Sequence, residues 1–247
     1  MYFLVVESSM SVNWDSLSTF EKSELQKIAS NEYYPTKSFA LDDVVYFGAS
    51  VSWLFLVLDG ERPACDFCFS VVSDDFLLDN YPFVDLLYSL PLRFDCKIEN
   101  KYDDEGVNKL FFDMTVYNDV EGDEWFHGLM KSEDKYDEMD RKLGQMLGYP
   151  ESVIDAFLAG ESVGLEQIVS KYNFSKYELR YLEYIPYLVP DDRVLIQEAV
   201  ELGIERDSRL RELDNEYWFL DGLSWWADRT LEQGLLGVEQ AIDVRTE

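Results

Sequence analysis

Between Leu143 and Phe157 one helix is stopped and the next is started, and this junction divides the chain into two unlike halves. Met139, Leu143, Met146 and Leu147 recur on one side of a helical wheel, Gly148 can take the left-handed conformation that closes a helix, and Pro150 suits the first turn of its successor. Val153, Ile154, Phe157 and Leu158 then give the second helix an apolar stripe. Upstream the apolar residues come in runs rich in Val, Tyr, Phe and Trp, whereas downstream they come at helical spacing. The pattern predicts an α+β protein, an antiparallel β-sheet in the N-terminal half packed with a mainly helical C-terminal half. The corresponding subdomains are 1–120, β-rich with short helices, and 121–247, helical.

Residues 1–8 read as a first strand or as an extension upstream of an alternative start at Met10. Ser18 and Glu21 stand at capping-box spacing, which predicts a helix from Thr19 to about Ala29 with Phe20, Leu25 and Ile28 on one face. The dense run from Phe39 to Leu58 reads as buried strands bent at Gly48, and Asp59-Gly60 as the turn of a hairpin into a strand at Ala64 to Val72. Tyr81-Pro82 opens a short helix carrying Phe83, Leu86 and Leu87. A second hairpin runs from Leu92 to Glu99 and from Val107 to Tyr117, through the polar loop Asn100 to Gly106. In the other half Pro150, Gly160, Pro186 and Pro190 separate helices expected near 150–159, 163–170, 175–184, 190–213 and 215–232.

The interior has ample apolar material, 47% of residues, but 50 acidic residues against 21 basic ones leave the surface with a net charge of -29. A folded chain of 28.9 kDa exposes roughly 11,000 Å², which sets carboxylates on the order of 15 Å apart. At about 0.1 M salt the screening length is ~10 Å and such neighbours repel; at about 1 M it is ~3 Å and they hardly do. The surface therefore suits the salt-rich cytoplasm of a halophile. Lysine is about as common as arginine and alanine is sparse, which fits an AT-rich halophile, a virus or a mobile element. Three cysteines, an odd number, point to a reducing compartment. Glu7 cuts short the apolar start Met1 to Val6, no basic segment precedes it, and Val44 to Leu58 is shorter than the ~20 residues of a spanning helix. A soluble cytoplasmic protein away from membranes is expected.

Catalytic signatures are missing: there is no G-x-S-x-G elbow, no phosphate-cradling glycine loop and no H-E-x-x-H pair. A single histidine, His127, excludes a two-histidine site within one chain, and among Trp125, Phe126 and Leu129 it reads as a packed ring. Cys65 and Cys68 form a C-x-x-C that Cys96 and His127 could complete as a zinc site. Residues three apart on a strand point to opposite faces, so such a site would need a knuckle in the chain. Asp119, Glu121 and Asp123 are the best candidates for a divalent cation, although the loop fails the EF-hand template, which would place Tyr117 and Gly128 in its end positions. No organic cofactor is expected.

Tyr177, Tyr181 and Tyr184 fall on one helical face, and Trp225 and Trp226 belong to a second aromatic group with Trp218 and Phe219. These five, Tyr177, Tyr181, Tyr184, Trp225 and Trp226, are candidate partner-binding residues. Phosphate would meet net repulsion, so the partner is expected to be a protein and not a nucleic acid. Arg193, Arg206, Arg209 and Arg211 are interleaved with Glu198, Glu201, Glu205 and Glu212 and read as helix-surface ion pairs.

The stretch Leu147-Gly148-Tyr149-Pro150-Glu151 and the later Tyr184-Ile185-Pro186-Tyr187-Leu188-Val189-Pro190-Asp191 resemble an uncharacterised archaeal family, of haloarchaeal type, with a Leu-Gly-Tyr-Pro-Glu helix junction. The resemblance covers about a quarter of the chain. Where that family's pattern has a cysteine pair and a later Pro-Cys, this chain has Ser152, Val153 and Asp191. If those cysteines hold a metal, the resemblance implies a scaffold kept without its ligands. Three functions are then open: a non-enzymatic protein-interaction module from a halophilic archaeon or its virus, a divalent-cation-dependent hydrolase or transferase, and an acidic mimic of nucleic acid that blocks a basic protein.

Overall fold

The computed structural model describes residues 12–30, 51–62, 64–72, 93–102, 108–117, 136–146, 149–185, 189–217, 219 and 221–246. Most of these are helical, with two small antiparallel sheets, which makes the class α+β. The chain divides into two compact units; the described residues of the first are 12–30 and those from Trp53 to Tyr117, and the second holds those from Tyr136 onward together with 51–52.

In the first unit, α1 (Thr19–Ala29) starts as the capping box dictates. The Ser18 hydroxyl accepts the Glu21 N–H at 3.2 Å, and the Glu21 carboxylate accepts the Ser18 N–H at 2.7 Å. Leu25 and Ile28 are fully buried, but Phe20 is exposed, so the apolar face narrows toward the first turn. Residues 51–59 form a second helix, α2, where the sequence pattern predicted strands; 39–50 lie outside the described residues. Leu54 to Leu58 are all buried, and a run buried on every side carries no period by which helix and strand can be told apart.

Asp59-Gly60 accordingly closes a helix instead of turning a hairpin. Gly60 has φ +84°, its N–H reaches the Val57 carbonyl at 3.2 Å, and the Arg62 N–H reaches that of Leu56 at 3.2 Å. A hairpin turn and a helix C-terminus both ask for a left-handed residue, so the dipeptide signals either. Trp14 stacks on Phe55 at 6.3 Å and donates its indole N–H to Asp59 at 3.0 Å, which fastens the chain ahead of α1 to α2.

The strands β1 (Ala64–Val72), β2 (Arg93–Tyr102) and β3 (Asn108–Tyr117) form an antiparallel sheet in the order β1-β3-β2. The strand at 64–72 and the 92–117 hairpin were both expected. The first strand at 1–8 and the helix opened by Tyr81-Pro82 lie outside the described residues.

In the second unit, α3 (Tyr136–Met146) is followed by α4 (Glu151–Leu158), with Pro150 as the residue that caps the second helix. Gly148 is outside the described residues. Arg141 on α3 pairs with Glu151 at 2.9 Å and with Asp155 at 2.5 Å, holding the two helices together across the junction. Val153, Ile154 and Ala156 form the buried stripe of α4, and Phe157, expected within it, is exposed. Gly160, at φ +69°, ends α4: its N–H bonds to the Phe157 carbonyl, and the Glu161 N–H to that of Ala156.

Beyond α4 the two-residue strands β4 (Ser162–Val163) and β5 (Val189–Pro190) pair antiparallel and bracket α5 (Leu165–Lys171), α6 (Lys176–Leu179) and a 3₁₀ turn, Arg180–Tyr184. The long helices α7 (Arg193–Glu216) and α8 (Gly222–Thr246) complete the unit. Asp192 caps α7 by accepting the N–H groups of Val194 and Leu195. The last predicted helix was expected to begin near 215, but α7 runs to Glu216 and α8 begins only at Gly222. Asp214 on α7 receives the Ser224 N–H at 2.8 Å and so caps α8 from outside it.

Candidate functional site

The 3₁₀ turn Arg180–Tyr184 is the piece around which the second unit is assembled. It lies between α7 and α8, and each helix meets it at a glycine. A Cβ on Gly203 would stand 2.2 Å from the Tyr181 carbonyl oxygen, and one on Gly234 would stand 2.2 Å from that of Arg180. Backbone therefore packs on backbone, leaving no room for a side chain. Arg206, buried on α7, donates from Nη1 to the Tyr184 carbonyl at 2.6 Å and satisfies the end of the turn.

A polar network runs outward from this turn. The buried Tyr184 hydroxyl donates to Asp207 Oδ1 at 3.0 Å; Arg211 binds Asp207 through Nε at 2.9 Å and Nη2 at 3.2 Å, and reaches Asp228 on α8 at 2.9 Å. Burial, and then the neighbouring Asp207, pushes the Tyr184 hydroxyl well above the usual tyrosine range, so it stays a neutral donor. Asp207 first, and Asp228 after it, makes the Arg211 guanidinium harder still to deprotonate. Within the turn, burial raises the Glu183 carboxyl to about 8.

The network opens into a groove of about 450 Å³. Arg180 and Tyr181 line it from the 3₁₀ turn, Asp207 and Arg211 from α7, and Asp228, Leu231, Glu232 and Leu235 from α8. Arg180 lies over two phenol rings, 5.0 Å from the centroid of Tyr181 and 5.8 Å from that of Tyr177. Next to Asp228 on α8 and one turn beyond Trp225, Arg229 lies 5.5 Å from the Trp225 ring and pairs with Glu232 at 2.5 Å.

The five aromatic residues expected to bind a partner therefore separate into two kinds. Tyr184 and Trp226 are interior residues, 0% and 1% exposed, and contribute to the core instead of the surface. The reason is the change from α6 into a 3₁₀ turn, which rotates Tyr184 off the face that Tyr177 and Tyr181 occupy. Tyr177, at 58%, and Trp225, at 38%, stand at the surface, with Tyr181 half-buried between groove and core. Arg206, read from sequence as a surface ion-pair residue, is buried; its place in the stripe Ile196, Ala199, Val200, Gly203, Arg206, Asp207, Leu210 was the signal available for it.

The other candidates are not brought to this groove. Cys65 is buried opposite Val116 at the start of β1, Cys68 pairs with Asp113 and Cys96 with Met114. Pairing of β1 with β3 is unbroken from Ala64 to Val72, without the knuckle that a C-x-x-C metal site would need. His127, Asp119, Glu121 and Asp123 lie outside the described residues, as does Trp218. Among the described residues no group of three or more His, Cys, Asp or Glu is placed to hold a metal ion.

A second cavity, about 690 Å³, brings together Ser152 on α4 and Asp191 beyond β5. Asp191 is engaged there: Lys171 at 2.5 Å and the Tyr172 hydroxyl at 2.8 Å hold its carboxyl below the usual range, and Asp192 beside it is the cap of α7. No described helix is long and apolar enough to cross a membrane. No known family's model matches the chain, nor does any curated protein or solved structure.

Proposed function

We propose that this chain is a non-enzymatic protein-interaction module working in the salt-rich cytoplasm of a halophilic archaeon or of a cell infected by one of its viruses. The observation that carries the reading is the pair of exposed aromatic rings, Tyr177 and Trp225, each held under an arginine beside the groove. Tyr, Trp and Arg are the residue types that dominate binding energy at interfaces, and the two aromatics bury much area while losing little conformational freedom. On α8, Trp225, Arg229, Glu232, Leu236 and Glu239 recur at i, i+4, i+7, i+11 and i+14, a single stripe about 21 Å long. Leu236, 48% exposed, gives that stripe a second apolar contact. The archaeal resemblance fits the same reading if that family's cysteines hold a metal, since a chain with Ser152, Val153 and Asp191 in their place would keep the scaffold and its surface without the ligands.

Affinity capture in about 1 M KCl, with the tagged chain as bait, tests the proposal. Tyr177→Ala and Trp225→Ala are expected to lose the captured protein, while Phe157→Ala, which removes an equally exposed ring on α4, retains it. If all three variants capture the same protein as the unaltered chain, the aromatic surface is not an interface.

A further inference from the structure

The proposed interface leaves open what kind of group its groove would accept, and Arg180 answers that question. In a chain with more than two acidic residues for every basic one, Arg180 has no carboxylate partner among the described residues. Its Nη2 donates to the Tyr181 hydroxyl at 3.2 Å, and its Nε is buried with no acceptor. The guanidinium lies over both tyrosine rings and, among the described residues, holds no carboxylate, the group to which an arginine makes paired, in-plane hydrogen bonds.

The three carboxylates lining the groove are already paired: Arg211, also in the lining, holds Asp207 and Asp228 at 2.9 Å, and Arg229, outside it, holds Glu232 at 2.5 Å. An incoming anion thus meets far less repulsion here than the net charge of -29 implies. At molar salt the remaining long-range repulsion is screened within ~3 Å, and only contact pairs count. A groove of about 450 Å³ exceeds a bare carboxylate and holds a side chain with its neighbour, against which Leu231 and Leu235 offer apolar surface.

We propose that this groove binds a glutamate or aspartate side chain of an extended acidic segment on the partner protein, with Arg180 gripping its carboxylate. The inference rests on the interaction reading, and it names the partner's chemistry. A partner from the same salt-rich solvent would itself be acidic, so recognition of carboxylate by a short-range fork replaces attraction between opposite net charges.

The test follows the Arg180 Nε–H signal by NMR in about 1 M KCl. Three blocked peptides are titrated: acetyl-Leu-Glu-amide, acetyl-Leu-Gln-amide, and acetyl-Leu-Gln with a free C-terminal carboxylate. The glutamate peptide should give a saturable shift, the glutamine amide should bind roughly tenfold or more weakly, as expected on losing a charge-assisted pair, and Arg180→Met, titrated by calorimetry because it removes the reporting N–H, should abolish the difference. Should that variant fail to fold, the contrast between the two amides on the unaltered chain decides alone. No response to the glutamate peptide, or a response only to the free C-terminus, overturns the proposal. Partner capture lost by Tyr177→Ala without any peptide response removes the carboxylate assignment and leaves the interface, whereas capture unaffected by Tyr177→Ala and Trp225→Ala removes the interface whatever the peptides do.

Discussion

Glu183 sits 2% exposed in the 3₁₀ turn, with Oε2 buried and unpartnered, and burial raises its carboxyl from the ordinary 4.5 to about 8. The folded chain therefore keeps this proton at pH values where the unfolded chain has released it. Its contribution to stability is fully present below about 4.5 and is lost as the pH rises through about 8, by up to ~1.4 kcal/mol per pH unit. Thermal melts between pH 5 and 9 should show Glu183→Gln losing less stability with rising pH than the unaltered chain; parallel curves would mean that Glu183 is not buried as a neutral acid. Asp207 is a second buried acidic side chain, and it is held by neighbours. Tyr184→Phe removes one of its bonds while Arg211 supplies the others, so the cost should be about 1 to 2 kcal/mol. Arg211→Met leaves Asp207 buried without its cation and should cost roughly 3 to 5 kcal/mol. Denaturant unfolding that ranks these two the other way round would remove the network from the account of stability. Neither carboxylate was legible in the sequence as an interior group, because a charged residue in a helix is by default read outward. Only the stripe period of α7 hinted otherwise.

At the scale of elements, the two glycine contacts make the sharpest prediction. A methyl group at Gly203 or Gly234 would meet backbone, which cannot rotate away, so Gly203→Ala and Gly234→Ala should each destabilise by several kcal/mol, with overpacking alone costing ~1 to 3. At Gly160, where φ is +69° and nothing lies within 4 Å of a Cβ, alanine should cost only about 1 to 2 kcal/mol. Equal losses at all three would mean that the 3₁₀ turn is not wedged against α7 and α8. Short-range grammar in the sequence did well wherever the physics was local. The capping box of α1, the cap-and-stop of α4 at Gly160 and the succession of helices after Pro150 were all readable. The box formed by Ser175 and Glu178 at the start of α6 was equally readable by its spacing, although it was not singled out. Reading failed at α2, where uniform burial erased the period, and at Asp59-Gly60, where one dipeptide serves two kinds of ending.

For the whole molecule the governing quantity is charge. Carboxylates on the order of 15 Å apart repel at about 0.1 M salt and are screened at about 1 M. The melting temperature followed by circular dichroism should therefore rise as KCl is raised from about 0.1 M to molar levels, with partial loss of the helical signal at the low end. A folded signal indifferent to salt would refute adaptation to a salt-rich solvent. That expectation needs the composition alone, because screening depends on how many charges a surface carries and hardly on which residues carry them. The helical second half, the strand at 64–72 and the 92–117 hairpin likewise followed from local signals, since caps, turns and periods act over a few residues. Which aromatic rings face water, and that Arg180 has no carboxylate partner among the described residues, were decided by the tertiary structure. Those outcomes depend on where the 3₁₀ turn meets α7 and α8, and such contacts join residues tens of positions apart whose proximity no local pattern encodes.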